Sequence, residues 1–353
     1  MVDNMKKINI KNLLNDYSLK ANALLAVYLK EKIRGARFVG KIPTEILKKF
    51  AEMMTRGKKI RGFLTVLGYR LAGGKDLNSI YDASCFIEIM HSGALIHDDI
   101  MDKDNLRRGL PAMHRQFENY GEDIGVSLAI CAGDLAFYLS WDKLLHSRFS
   151  DEIILKAAKI YAKYAINITY GQSLDQVNGL ERNFNLQEIL KIFRYKTAEY
   201  TGVTPLIIGA ILGGMTDKKK LAAIEGYGLN LGWAFQIQDD ILGLYGSETE
   251  TGKPIGSDLR QGKITLLVYH ILKNGSLNEK LYLKSILGRK DLSQTDILKA
   301  QKFFKDTGAY QYVLNLGKNY LFEGKKTILQ LTENPEIKEI LESLLNFIMS
   351  RIV

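Results

Sequence analysis

Apolar residues recur at three- and four-residue spacings along almost the whole chain, and no run of useful length alternates in twos. That period predicts helices rather than strands. Residues 3–33 carry a stripe of Leu13, Leu14, Tyr17, Leu24, Leu25 and Tyr28, followed by a loop marked by Gly35 and Gly40. Pro43 and Thr44 open a second helix that ends near Gly57. Further helices are predicted over 62–72, 77–102, 121–148, 151–178, 186–214, 219–245, 295–305, 308–331 and 335–351, with Gly73 and Gly74 as a turn and 103–113 as a polar loop. No low-complexity linker divides the chain. The expected architecture is all-α: one domain, residues 1–353, built as a bundle of about ten or more helices.

Two of these helices carry an unusual acidic end. Phe86, Ile87, Ile89, Met90, Ala94 and Leu95 lead into Asp98, Asp99 and, one turn on, Asp102, with Arg107 and Arg108 in the loop beyond. On a helix these carboxylates are i,i+3 and i,i+4 neighbours. They also lie at the end where the helix dipole disfavours anions. Two carboxylates about 4 Å apart repel by roughly 4 kcal/mol at an effective dielectric near 20. A solvated acidic turn is one reading; a site for a hard cation such as Mg²⁺, which favours all-oxygen ligands, is the other. The second reading gains because the arrangement recurs. Residues 229–245 form another apolar stretch ending in Asp239 and Asp240, followed by a loop with Lys253, Asp258, Arg260 and Lys263.

Composition narrows the partners. With 46% hydrophobic residues among 353, the chain can bury a sizeable core, and five prolines leave room for long helices. The net charge of +10 favours anionic partners. No nucleic-acid-binding signature is present and the lysines are dispersed, so a small phosphorylated ligand is expected rather than nucleic acid. Cys85 and Cys131 sit in apolar surroundings and read as buried free thiols. The N-terminal stretch lacks a signal-peptide core, and the longest uncharged run, Tyr200 to Met215, contains Pro205 and is shorter than the about 20 residues of a typical span. No transmembrane segment and a cytoplasmic location are expected.

Single residues remain open on spacing alone. Lys58 and Arg61 in GKKIRG form either a solvated basic turn or an anion grip. His91 lies two turns before Asp98 on nearly the same face, as a core histidine or a site residue. Gln172 and Asp175 could support a metal site from behind, pack in the core or cap a helix. Lys196, with Thr197, interrupts an apolar helix and must pair with a carboxylate or a phosphate, because an unpaired buried lysine is costly.

From about residue 20 onward the chain resembles the trans-isoprenyl diphosphate synthases, whose fold is the isoprenoid synthase bundle around a central cavity. The likeness rests on GKKIRG, HSGALIHDDIMDKDNLRRG, GQSLD, KTA, FQIQDDILG and GKPIGSDLRQGK, which stand in the family's order at compatible spacings. The resemblance implies that Asp98, Asp99 and Asp102 form the first aspartate-rich motif and Asp239 and Asp240 the second, together holding three Mg²⁺ ions on an allylic diphosphate. It implies that Arg107, Lys196, Lys263 and Lys253 grip that diphosphate. Lys58, Arg61, His91 and Arg108 would hold isopentenyl diphosphate, and Thr197 and Gln236 would line the cation site. Homodimers are usual in the family. The chain departs from the pattern at Gly243, where many members have a third aspartate, and at Gly62, where proline is frequent. The first departure suggests weaker metal binding at the second motif.

The implied reaction is head-to-tail condensation giving a longer trans-polyprenyl diphosphate. A terpene cyclase or head-to-head synthase would tend to lack GKKIRG and its histidine, and a non-catalytic subunit would have lost aspartates of the first motif. A phosphohydrolase would need a His–Asp ligand set that is not apparent, and a helical scaffold leaves the doubled acidic helices unexplained. For product length, Gly93 and Ala94 are small where shorter-product members often place an aromatic plug. Met90 and Phe86 follow, roughly 12 and 18 Å down the helix from Asp98 at about 1.5 Å per residue. A stop near geranylgeranyl length follows if Phe86 faces the tunnel.

Overall fold

The computed structural model describes residues 8–178, 185–247 and 254–350. The chain opens with α1 (Ile10–Val39), α2 (Lys41–Met54), α3 (Ile60–Leu71) and α4 (Leu77–Met101). A two-residue antiparallel pair, β1 (Leu106–Arg107) with β2 (Leu110–Pro111), and a 3₁₀ turn (Arg115–Tyr120) precede α5 (Glu122–Leu145) and α6 (Asp151–Val177). Next, α7 (Leu186–Ile192) runs into a π-helix (Phe193–Val203), then α8 (Thr204–Leu212) and α9 (Lys218–Tyr245). The remainder is α10 (Ser257–Gln261), α11 (Leu266–Asn274), α12 (Leu277–Ile286), α13 (Gln294–Asp306), α14 (Ala309–Leu331) and α15 (Pro335–Ser350). The fold is all-α, as the apolar period predicts, and β1–β2 is the only sheet among the described residues.

Local chemistry sets several boundaries. Asn9, Asp76 and Asp217 cap α1, α4 and α9 by accepting backbone N–H bonds from the first turn. Gly35, expected in a loop, lies inside α1, which runs on to Val39. One interior glycine costs only about 1 kcal/mol, less than the packing of the surrounding turns returns. The buried stripe of α1 is Ile10, Leu14, Tyr17, Ala21, Leu25 and Leu29, while Leu13, Leu24 and Tyr28 sit half-buried at its flank. The single helix expected over 186–214 is three segments. Pro205 has no N–H to offer the preceding turn, so it falls in the first turn of α8 and separates it from the π-helix.

Packing sets α4 along α5, α3 against α8, and α9 between the π-helix and α14. There are two hydrophobic clusters, and α9 serves both. Leu231 and Ala234 belong to the larger, and Ile237, Ile241 and Leu244 to the one formed with α10–α14. Cys85 is buried as expected. Cys131 is not: it lies on the outward face of α5, in line with Ile124, Tyr138 and Leu145 at seven-residue steps, all of them exposed.

Candidate active site

One cavity of about 790 Å³ opens among α3, α4, α6, the π-helix and α9. The face of α4 that lines it carries Glu88, His91, Leu95, Asp98 and Asp102, at the three–four spacing that keeps side chains on one side of a helix. Facing it, α9 presents Gln236, Asp239, Asp240 and Gly243 on the same spacing. The two acidic ends therefore share one cavity. Lys263, in the loop after α10, ties the acidic end of α4 to α6: its Nζ lies 3.0 Å from Asp102 Oδ2 and 3.3 Å from Asp175 Oδ2. Burial opposes its charge, but Asp175 and Asp102 outweigh that and raise its pKa above the ordinary lysine value.

Lys196 plays a matching part from the π-helix, donating to Asp175 at 2.5 Å and Asp98 at 3.3 Å. Burial pushes the Asp175 carboxyl up, yet Lys196 and Lys263 prevail and hold it below the usual range. Gln172 and Gln176 of α6 donate to Asp98 and Asp102, each at 3.3 Å. Arg107 lines the cavity too, but its guanidinium is clasped by Asp99, with Nε 2.7 Å from Oδ1. Asp99, expected as a metal ligand, is buried and absent from the cavity wall, because it points to the side of α4 where Arg107 and Asp104 lie. Lys253 lies outside the described residues.

At the second acidic end, Gln236 Nε2 donates to Asp240 Oδ1 at 2.8 Å, and its Oε1 accepts from the Thr197 hydroxyl. Asp240 Oδ2 is buried with no hydrogen-bond partner. Burial first, then Asp258 and Asp239, push the Asp240 carboxyl well above the usual range. Gly243 stands where a third aspartate is frequent. A Cβ there would lie 3.3 Å from Asp258 Oδ2, so the Asp258 carboxylate reaches the space that a side chain at 243 would fill.

These donors suit a hard divalent cation: oxygen-only, like-charged, and including one buried oxygen without a partner. Asp98, Asp102, Asp239 and Asp240 are the residues that could hold it. Among the described residues no three acids converge on one point; the aspartates of α4 are instead neutralised by Arg107, Lys196 and Lys263.

The other end of the cavity is basic. Lys58, Arg61, His91 and Arg108 all line it. Arg61 donates to Thr201 Oγ1 at 2.7 Å and lies over the Tyr200 ring at 4.6 Å. Burial, reinforced by Arg61 and Arg108, drives the His91 pKa well down, so the ring is neutral. Arg56 and Arg108 exchange guanidinium-to-carbonyl bonds of 3.0 and 2.9 Å, latching the β1–β2 turn to the loop that carries Lys58. Lys59 donates to the carbonyls of Met54 and Arg56 at 2.6 and 2.9 Å, and burial pulls its pKa down to about 8. Gly62 explains its departure from proline: its N–H donates to Glu88 Oε1 at 2.7 Å, and a Cβ would lie 1.9 Å from Tyr17 Oη.

Of the residues considered for product length, only Ala94 lines the cavity. Phe86, Met90 and Gly93 follow each other at four- and three-residue steps on the neighbouring face of α4, toward α5. Phe86 is fully buried, edge-on to Tyr161 at 5.1 Å. Sequence reasoning also left Glu88 and Asp258 out of the site. The signal for Glu88 was there, as an acid one turn before His91 on a helix otherwise apolar at that point.

Taken together, these features define an all-α protein whose two acidic helix ends share one charged cavity. Residues 44–304 match the polyprenyl synthetase family. The geranylgeranyl diphosphate synthase of Sulfolobus acidocaldarius is 34% identical over 283 residues, covering 80% of this chain and 82% of that protein. The short chain isoprenyl diphosphate synthase of Methanocaldococcus jannaschii is 35% identical over 298 residues, covering 84% and 86%. Among solved structures, the geranylgeranyl pyrophosphate synthase of Corynebacterium glutamicum, complexed with isoprenyl diphosphate and magnesium, superposes with a TM-score of 0.89 at 29% identity, over 96% of this chain and 99% of that one. The chain belongs to the polyprenyl synthetase family. It is an isoprenyl diphosphate synthase, a prenyltransferase.

Proposed function

We propose that this enzyme condenses isopentenyl diphosphate head to tail with an allylic diphosphate (dimethylallyl, geranyl or farnesyl) and releases a trans-polyprenyl diphosphate of geranylgeranyl length. The observation that carries the reading is one cavity lined both by two acidic helix ends and by Lys58, Arg61, His91 and Arg108. Two diphosphates need two cationic grips, and the cavity has them.

The allylic diphosphate sits between Asp98 and Asp239. Asp98, Asp102, Asp239 and Asp240 would hold Mg²⁺, three ions per site by family likeness, and the metal would supply charge neutralisation on the leaving diphosphate. Lys196, Lys263 and Arg107 exchange their carboxylate partners for phosphate oxygens as that charge grows, which stabilises the transition state more than the ground state. Thr197 commits its hydroxyl proton to Gln236, so it offers the cavity only oxygen lone pairs. Those lone pairs favour a carbocation at the allylic carbon. Isopentenyl diphosphate, held by Lys58, Arg61 and Arg108, brings its double bond to that carbon, and the departed diphosphate takes the proton lost afterwards. A neutral His91 donates one hydrogen bond to the second diphosphate without adding charge.

A second copy of the chain is the proposed partner. Helix α5 carries the exposed row Ile124, Cys131, Tyr138 and Leu145 at heptad steps, with Leu128 and Leu135 half-buried beside it. A seam of that period suits helix-to-helix packing. Glu122–Leu145 is also the one helix among the described residues long and apolar enough to cross a membrane. Its inner face is packed on α4, and Asp134, Asp142 and Lys143 interrupt it.

The test uses labelled isopentenyl diphosphate with each allylic starter and Mg²⁺. A labelled product longer than the starter is expected, and none from starter alone. Turnover of the starter without isopentenyl diphosphate would instead support a cyclase or a head-to-head synthase.

A further inference from the structure

We propose that Phe137, reaching from α5 across Gly93 of α4, is the plug that ends the product tail. The inference rests on the elongation reading above and deepens it. An isoprenoid tail is a hydrocarbon, so it lies along the apolar part of the cavity wall. Near Asp98 that part is Ala94, Leu95, Phe137 and Ile168, contributed by three helices.

Gly93 does not leave a channel open. A Cβ on it would lie 2.9 Å from Ala136 Cβ, 3.0 Å from Gly133 O and 3.2 Å from Phe137 Cε1. The neighbouring helix has already filled the space that a small residue on α4 vacates, with the Ala136 methyl, the Gly133 carbonyl and the edge of the Phe137 ring, of which only Phe137 also lines the cavity. That ring is braced by His97 at 5.3 Å and still shows one side to the cavity. Behind it, along the α5-facing side of α4, come Met90 and then Phe86, both buried and neither on the cavity wall. Phe86 is backed by Tyr161, which packs on Trp141 at 4.5 Å. A tail meets Phe137 first, and reaches Phe86 only after Phe137 has gone.

This order gives an asymmetric expectation. Removing the ring at 137 opens the path from Gly93 to Met90, about 4.5 Å of helix at about 1.5 Å per residue. Removing Phe86 as well opens about 6 Å more. Removing Phe86 alone opens a pocket the tail cannot enter.

The experiment compares wild type, Phe86→Ala, Phe137→Ala and the double variant, with labelled isopentenyl diphosphate and farnesyl diphosphate, by chromatography of the dephosphorylated products. The expected products are wild-type length for Phe86→Ala, at least one isoprene unit longer for Phe137→Ala, and longer still for the double variant. Phe137→Leu, which keeps most of the packing, should give a mixture, and it carries the test if the alanine variant does not fold. Wild-type length from both Phe137 variants, or a longer product from Phe86→Ala alone, would overturn the proposal. Failure of the wild type to incorporate isopentenyl diphosphate would instead count against the elongation reading.

Discussion

At the scale of the residue, Lys59 shows how burial and function pull apart. Its ammonium satisfies two carbonyls at the end of α2, and burial holds its pKa near 8. The folded state therefore binds this proton less tightly than the unfolded chain does. Above about pH 8 and up to the ordinary lysine range, the unfolded state holds more protons, so this group's contribution to stability rises with pH. Over the same window the cavity loses a positive charge beside Lys58 and Arg108. We predict that kcat/KM for isopentenyl diphosphate falls several-fold above pH 8 and that Lys59→Arg moves the fall to higher pH. An unchanged pH profile in that variant would assign the fall to another group. Residue chemistry was the part most legible in the sequence: paired aspartates, GKKIRG and KTA all reach one cavity. Facing direction was not. Asp99, Gly93 and Phe86 lie within a turn or a few turns of Asp98, and a helix decides by tens of degrees which of them meets the cavity. The deciding neighbours, Arg107 and Phe137, come from β1 and from α5.

At the scale of the element, the π-helix is the part no periodicity announced. A wider turn is uncommon and appears mostly at functional sites. Here it carries Lys196, Thr197 and Tyr200 to the cavity. It is held from α6 at Gly171, where a Cβ would lie 2.2 Å from the Lys196 backbone nitrogen. That contact gives GQSLD a physical reason for its glycine. A methyl group at 171 must displace the turn that positions Lys196, and overpacking of this kind costs about 1–3 kcal/mol. Gly171→Ala should lower the melting temperature by a few degrees and kcat by more than tenfold, read by thermal denaturation and steady-state kinetics. A full kcat in a destabilised protein would separate the π-helix from the chemistry. The helices themselves were legible because their stripes are long, and Pro205 marks the break before α8; the π-helix ahead of it was not legible, because it depends on how close α6 and α9 approach.

At the scale of the whole molecule, α9 joins two hydrophobic clusters while presenting Asp239 and Asp240 to the cavity. The position of the second acidic end relative to the first is thus fixed by both clusters. The outward row on α5 is an exposed apolar feature that the site does not use, and in the proposed dimer its register puts Tyr138 and Cys131 at the centre of the seam. Tyr138→Asp should shift the protein from dimer to monomer in analytical ultracentrifugation at micromolar concentration. A dimer that survives the charge would place the contact elsewhere. Cys131 was misread because Ala129 and Ala132 beside it in sequence are buried against the core, while Cys131 and Ile130 face outward.

In the proposed reaction the two acidic helix ends act on one diphosphate. Binding of Mn²⁺, as a paramagnetic stand-in for Mg²⁺, measured by electron paramagnetic resonance with and without a non-cleavable allylic diphosphate analogue, tests it most directly. The analogue should tighten metal binding in the wild type, Asp98→Ala or Asp239→Ala alone should abolish most of that gain, and the double variant should lose little more. A gain that survives either substitution, or two losses that simply add, would mean the acidic ends work independently.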